Sequence, residues 1–161
     1  MKVTFKKATN EDVILIAQLA DNIWKRHYSS IIALEQIDYM LKKMYSPESL
    51  LKQMEEGHQF TLVYNGSAAI RYISLSSKDV KNDFLHKLYV DVDEQGNGVG
   101  SQLFNYVLSQ MPNAETIELT VNRQNYKAIN FYYKNGFVIK EVADFDIGNG
   151  YFMNDFVMIK K

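Results

Sequence analysis

The stretch QGNGVGSQL at positions 95–103 sets Gly96, Gly98 and Gly100 between two segments of different periodicity. Before it, FLHKLYVDV (84–92) is apolar and β-branched enough to form a strand. After it, Val99, Leu103, Val107 and Met111 recur at helical spacing, with Leu108 beside them. The chain is therefore expected to run strand, tight turn, helix. Glycine lacks a Cβ, so a ligand can approach the backbone closely at such a turn. The N–H groups of the helix's first turn, with the dipole behind them, favour an anion, and a phosphate is the obvious guest.

Spacing excludes two phosphate-binding fingerprints. A dinucleotide site needs G-x-G-x-x-G and an acidic residue ending the next strand. Here the order is Gly96-x-Gly98-x-Gly100, and TIELTV (116–121) runs into Asn122. A P-loop needs Gly-Lys-Ser/Thr, and Gly100 is followed directly by Ser101. Taken alone, the glycines also fit a structural turn with no ligand.

The remaining segments read as one alternating α+β chain. VTFKKA (3–8) is a first strand, and Asn10 is placed to cap a helix whose core face carries Val13, Ile16, Leu19 and Ile23. Residues 24–45 continue as helix after a break near Ser29-Ser30. Ser46-Pro47-Glu48 caps a short helix that Gly57 closes. QFTLVY (59–64) and SAAIRYISLSS (67–77) form a hairpin around Asn65-Gly66, a pair suited to a type I′ turn. A strand at 116–121 and a helix at 125–135 follow, with Gly136 as the C′ residue. Strands at 137–142 and 151–159 flank DIGNG. The result is a mixed central sheet flanked by helices.

Length and composition narrow the function. With 161 residues there is room for one domain with a real core, spanning 1–161, and not for two. A net charge of −1 supplies no basic field for nucleic acid. The longest aliphatic run, VILIA (13–17), is too short to cross a bilayer, and MKVTFKKATNED lacks the apolar core of a signal peptide. Cysteine is absent, which removes disulfides, thiolate metal sites and a cysteine nucleophile, and suits a reducing, cytoplasmic compartment. No cluster has metal-ligand spacing, so no metal is expected.

A second stretch, NRQNYKAINFYYKNGF (122–137), follows a strand and opens a helix about twenty residues beyond the glycines. Gln95-Gly96-Asn97-Gly98-Val99-Gly100 and Asn125-x-x-Ala128-x-x-x-Tyr132-x-x-x-Gly136-Phe137 together resemble the GNAT superfamily of acetyl-CoA-dependent N-acetyltransferases. The first matches that family's [Gln/Arg]-x-x-Gly-x-[Gly/Ala] loop and the second its Asn-x-x-Ala…Tyr-x-x-x-Gly-Phe helix. The N-terminal third and the ending DIGNGYFMNDFVM look most like the branch containing bacterial PaiA-type polyamine acetyltransferases. One departure is Ser67-Ala68-Ala69-Ile70, where the family's hairpin strand often has a glycine.

The resemblance implies a mostly antiparallel sheet of six to seven strands, splayed between the strands at 84–92 and 116–121, with acetyl-CoA in the splay. It implies that Gln95, Gly96, Asn97, Gly98, Val99, Gly100 and Ser101 present backbone N–H groups to the pyrophosphate. Leu88, Tyr89 and Val90 would pair with the pantetheine arm like an added strand, with Asn122 and Asn125 on its other side. A helix cap is the second reading of Asn125. Tyr132 falls at the family's general-acid position, and a reference pKa of about 10 keeps a phenol protonated at neutral pH. His86 falls where relatives carry the base that receives the amine proton; a hydrogen-bonded core histidine is the alternative. Alternation puts Phe84, His86, Leu88 and Val90 on one face. Trp24, His27 and Tyr28 lie where relatives line the acceptor pocket, and His58 reads as a solvated turn residue.

The expected reaction is direct attack of a primary amine, a polyamine or another small amine, on acetyl-CoA. A protein or peptide N-acetyltransferase and a non-catalytic acyl-CoA sensor are the alternatives on the same fold. The sequence does not fix the acceptor or the oligomeric state; relatives are often homodimers.

Overall fold

A computed structural model describes residues 2–77, 79, 81–88 and 98–161. Strand β1 (Thr4–Lys7) leads through a single 3-10 turn (Asn10–Asp12) into helix α1 (Val13–His27). The cap is Thr9, one residue before the expected Asn10. Its Oγ1 accepts the Glu11 N–H at 3.3 Å, and the Asp12 carboxylate accepts the Thr9 N–H at 2.9 Å. That reciprocal pair satisfies two donors that a helix start leaves open. Val13, Ile16, Leu19 and Ile23 are all buried, as the periodicity predicts.

Helices α2 (Leu34–Tyr45) and α3 (Pro47–Glu55) follow, and Ser46 caps α3 by accepting the Ser49 N–H at 3.3 Å. Then come β2 (Gln59–Asn65), β3 (Ala68–Ser77), β4 (Asn82–Leu88), α4 (Val99–Gln110), β5 (Thr116–Asn122), α5 (Tyr126–Lys134), β6 (Val138–Gly148) and β7 (Tyr151–Lys160). The seven strands form one mixed sheet in the order β1-β2-β3-β4-β5-β7-β6. Among the described strand pairs only β4 and β5 are parallel, because α4 carries the chain between them as a crossover.

The sheet is covered on both faces. Helices α1, α2 and α3 pack Ile16, Ile37 and Leu50 over Phe60, Leu62 and Tyr72. Helix α4 packs Leu103 and Val107 over the opposite face, where Ile73, Leu85 and Leu119 point. None of the helices among the described residues is long and apolar enough to cross a membrane.

Two turns differ from expectation. Asn65 pairs with Ala68, so the loop is Gly66-Ser67, and only Gly66 has positive φ (62°). That is the pattern of a type II′ turn. The type I′ pattern, positive φ at both central residues, belongs to Asn149 (55°) and Gly150 (78°) in the last hairpin. There β6 runs on through Gly148 instead of ending at 142, because its ladder with β7 continues to Gly148 opposite Tyr151.

Candidate active site

The sheet parts where the parallel strands meet. Among the described residues, β4 and β5 pair only from Asn82 with Thr116 to Phe84 with Glu118. Beyond those three pairs, β4 continues along β3 to Leu88, and β5 continues along β7 to Asn122. A cavity of about 500 Å³ lies against the parted strands and the end of α1. It brings together Trp24, His27 and Tyr28 from the α1 end, His86 from β4, Asn122 from β5, and Asn125 and Tyr132 from α5.

His86 sits on a β-bulge. The β3–β4 register steps from Ser74 opposite Lys87 to Leu75 opposite Leu85, which leaves His86 as the extra residue. A bulge twists the strand and re-aims one side chain. The expected alternation from His86 through Leu88 therefore does not hold across it. His86 Nε2 lies 2.5 Å from Ser76 Oγ, and its ring stacks on His58 at 4.1 Å and 14°. His58 is packed against the site, not a solvated turn residue. The expectation missed it because β2 starts at Gln59, directly after it, and brings it beside β4.

Tyr132 is buried on α5, with its ring edge-on to Phe131 and Phe137. Burial pushes its phenol well above the ordinary range, and the neighbouring Tyr28 adds to the effect. Burial also raises the Tyr28 phenol, Tyr45 reinforcing it and a hydrogen bond from Asn125 opposing it. The Asn125 carboxamide does two things at once. Its Oδ1 accepts the Ala128 N–H at 3.4 Å as the α5 cap, and its Nδ2 donates to the Tyr28 hydroxyl at 3.4 Å. Trp24 stacks on Tyr28 at 4.5 Å. Asn122 Oδ1 accepts the Gln124 N–H at 2.9 Å, shaping the turn between β5 and α5.

The α4 start stands apart from this cavity. Gly98 is its N-cap residue, with φ +72°, and the nearest atom to a Cβ built there is Gln102 Nε2 at 4.0 Å. Val99 is buried in the core, while Ser101 is exposed. Leu88 closes β4, and Tyr89, Val90, Gln95, Gly96 and Asn97 lie outside the described residues.

One carboxylate that lines the cavity was not anticipated. Asp155 on β7 lines the cavity with 2% exposure, and its Oδ1 has no hydrogen-bond partner among the described residues. Burial pushes its carboxyl up to about 6, an effect that Arg123 partly opposes. The signal lay in strand alternation, since Tyr151, Met153, Asp155 and Val157 fall on one face and only one of them is charged.

Residues 28–147 match the family model described as Acetyltransferase (GNAT) domain. The chain belongs to the GNAT acetyltransferase family. It is an acyltransferase, and acetyl-CoA is the donor that GNAT acetyltransferases use. Over its whole length it is 27% identical to a spermidine N(1)-acetyltransferase of Thermoplasma acidophilum, covering 98% of that relative. It superposes with a TM-score of 0.78 on the crystal structure of a PaiA N-acetyltransferase from the same organism in complex with coenzyme A, covering 99% of that chain at 27% identity. A GCN5-related N-acetyltransferase structure from Rhodopseudomonas palustris, at 17% identity and TM-score 0.79, shares the fold.

Proposed function

We propose that this GNAT protein, acting as one domain in the cytoplasm, transfers the acetyl group of acetyl-CoA to a primary amine of a small molecule such as a polyamine. The observation that carries this reading is a phenol, an imidazole and the parted strands meeting at one cavity. The spermidine acetyltransferase relative supports the acceptor class.

The described residues fit the donor. The parting of β4 from β5 leaves room for an extended amide-bearing arm, which Leu88, Tyr89 and Val90 would pair with and which Asn122 and Asn125 would flank. At α4, Gly98 brings no side chain, so an anion can reach the first-turn N–H groups of Val99, Gly100 and Ser101. Gln95, Gly96 and Asn97 extend that cradle in the sequence.

The neutral amine attacks the thioester carbonyl; the C–N bond forms and the C–S bond breaks. His86 receives the proton that the amine loses, and its bond to Ser76 fixes the ring's orientation. Tyr132 gives its proton to the departing thiolate. The raised phenol keeps that proton available throughout the neutral and alkaline range. Trp24, His27 and Tyr28 contact the acceptor.

A thiol-release assay with acetyl-CoA tests this across polyamines, amino acids and peptide N-termini. We expect turnover with polyamines, and a loss of roughly ten- to ten-thousand-fold in kcat for Tyr132→Phe with acetyl-CoA affinity retained. Turnover with peptides alone would replace the small-amine reading, and an unchanged Tyr132→Phe rate would remove the acid assignment.

A further inference from the structure

We infer that Asp155 anchors a second, non-reacting ammonium group of the acceptor, which makes the site selective for dicationic amines. The inference rests on the amine-acceptor reading above and adds a specificity residue to it.

A buried carboxylate without its full set of partners is costly, and among the described residues none bonds Asp155 Oδ1. Arg123, whose charge acts on this carboxylate, makes its hydrogen bonds elsewhere. Its Nη2 donates to Asp144 Oδ1 at 2.9 Å, and its Nη1 lies 3.3 Å from the Ala143 carbonyl and 3.5 Å from the main-chain carbonyl of Asp155. The guanidinium thus bonds the Asp155 backbone, while its charge offsets only part of the cost of the buried carboxylate. An apolar residue would suit packing beside Tyr151, Met153 and Val157 better. The missing partner is therefore a ligand that brings positive charge and N–H donors.

The reacting nitrogen is a poor candidate for that partner. It must be neutral to attack, and a carboxylate beside it would hold its proton in place. A separate ammonium carries no such conflict. It stays charged through the reaction and fixes the distance to the attacking amine. The cavity, about 500 Å³, lies in the usual range for small-ligand sites. Its Trp24–Tyr28 stack offers apolar surface to the methylene chain between the two nitrogens.

The test compares aliphatic diamines, from diaminopropane to diaminooctane, with monoamines of equal chain length, on the wild type and Asp155→Asn. Two readouts are needed: steady-state kinetics with acetyl-CoA, and the thermal shift each amine produces in the CoA-bound protein. We expect the wild type to prefer diamines. Asp155→Asn should raise the diamine KM about 30-fold or more while leaving the KM values for monoamines and acetyl-CoA near wild type. The diamine thermal shift should vanish with it. Equal loss of kcat on both amine classes would make Asp155 a proton acceptor and overturn the anchor, as would an unchanged diamine preference. If the wild type acetylates neither class, the amine-acceptor reading fails. The thermal shift still decides Asp155 in that case, because a diamine shift lost in Asp155→Asn supports the anchor and an absent or unaffected shift overturns it. Should Asp155→Asn not fold, a wild type without diamine preference overturns it alone.

Discussion

Asp155 trades stability for its place beside the cavity, and pH exposes the trade. Burial raises its carboxyl from the ordinary 3.8 to about 6, so the folded protein holds the proton more tightly than the unfolded chain. The contribution to stability is therefore fullest below about pH 4 and is lost as pH rises towards 6 and the buried group ionises. The groups around it do not reverse this sign: Arg123 offsets only part of the shift, and Tyr28 stays neutral throughout the window. Asparagine does not ionise. Asp155→Asn should thus exceed the wild type in stability by about 1–3 kcal/mol at pH 8, with the gain disappearing below pH 4. Urea denaturation across that range checks it; a variant less stable than wild type at pH 8 would mean that the carboxylate has a partner in the fold. The sequence made Tyr132 and Asn125 legible because both stand at fixed spacing from a glycine-phenylalanine pair. Asp155 was hidden because a lone acid in a strand becomes informative only once its neighbours are known to be buried. His58 was hidden for the converse reason, since its stacking partner lies on β4, two strands away in the sheet.

At the scale of elements, the strand–turn–helix reading of the glycine run was correct for α4, whose apolar face Val99, Leu103 and Val107 is buried. Its N-cap glycine has a positive φ that side chains adopt only with strain. Gly98→Glu therefore combines about 1 kcal/mol of backbone strain with a negative charge at the dipole's positive end, where the phosphate group would lie. It should fold with a modestly lowered Tm and lose the thermal shift that acetyl-CoA gives the wild type. Gly98→Ala, with the same strain and no charge, should keep most of that shift. A Gly98→Glu protein that still responds to acetyl-CoA would reduce the glycine to a turn residue. The hairpins show where local signals run out. Asn-Gly occurs at 65–66 and at 149–150, and only the second forms the type I′ pattern. At the first, a bulge between Val63 and Tyr64 shifts the register, Asn65 is drawn into the ladder, and the turn moves on by one residue. The pairing partner decides that, and no dipeptide encodes it.

Across the whole molecule, the order of strands and helices followed from periodicity and turn residues, which also made a mixed sheet the expectation; which pair is parallel came from the structure. The family resemblance supplied the splay, which no periodicity reveals. The two halves of the sheet, β1 to β4 and β5 with β7 and β6, are joined edge to edge through three residue pairs. Amide hydrogen exchange should therefore show residues 85–88 and 119–122 opening more readily than the centre of β3, and acetyl-CoA should slow them selectively. Equal slowing throughout the chain would mean that the donor stabilises the fold globally without closing this gap. In mechanical terms the three pairs and the α4 core beneath them are what join the two halves, and a donor lying across the gap would act as a splint.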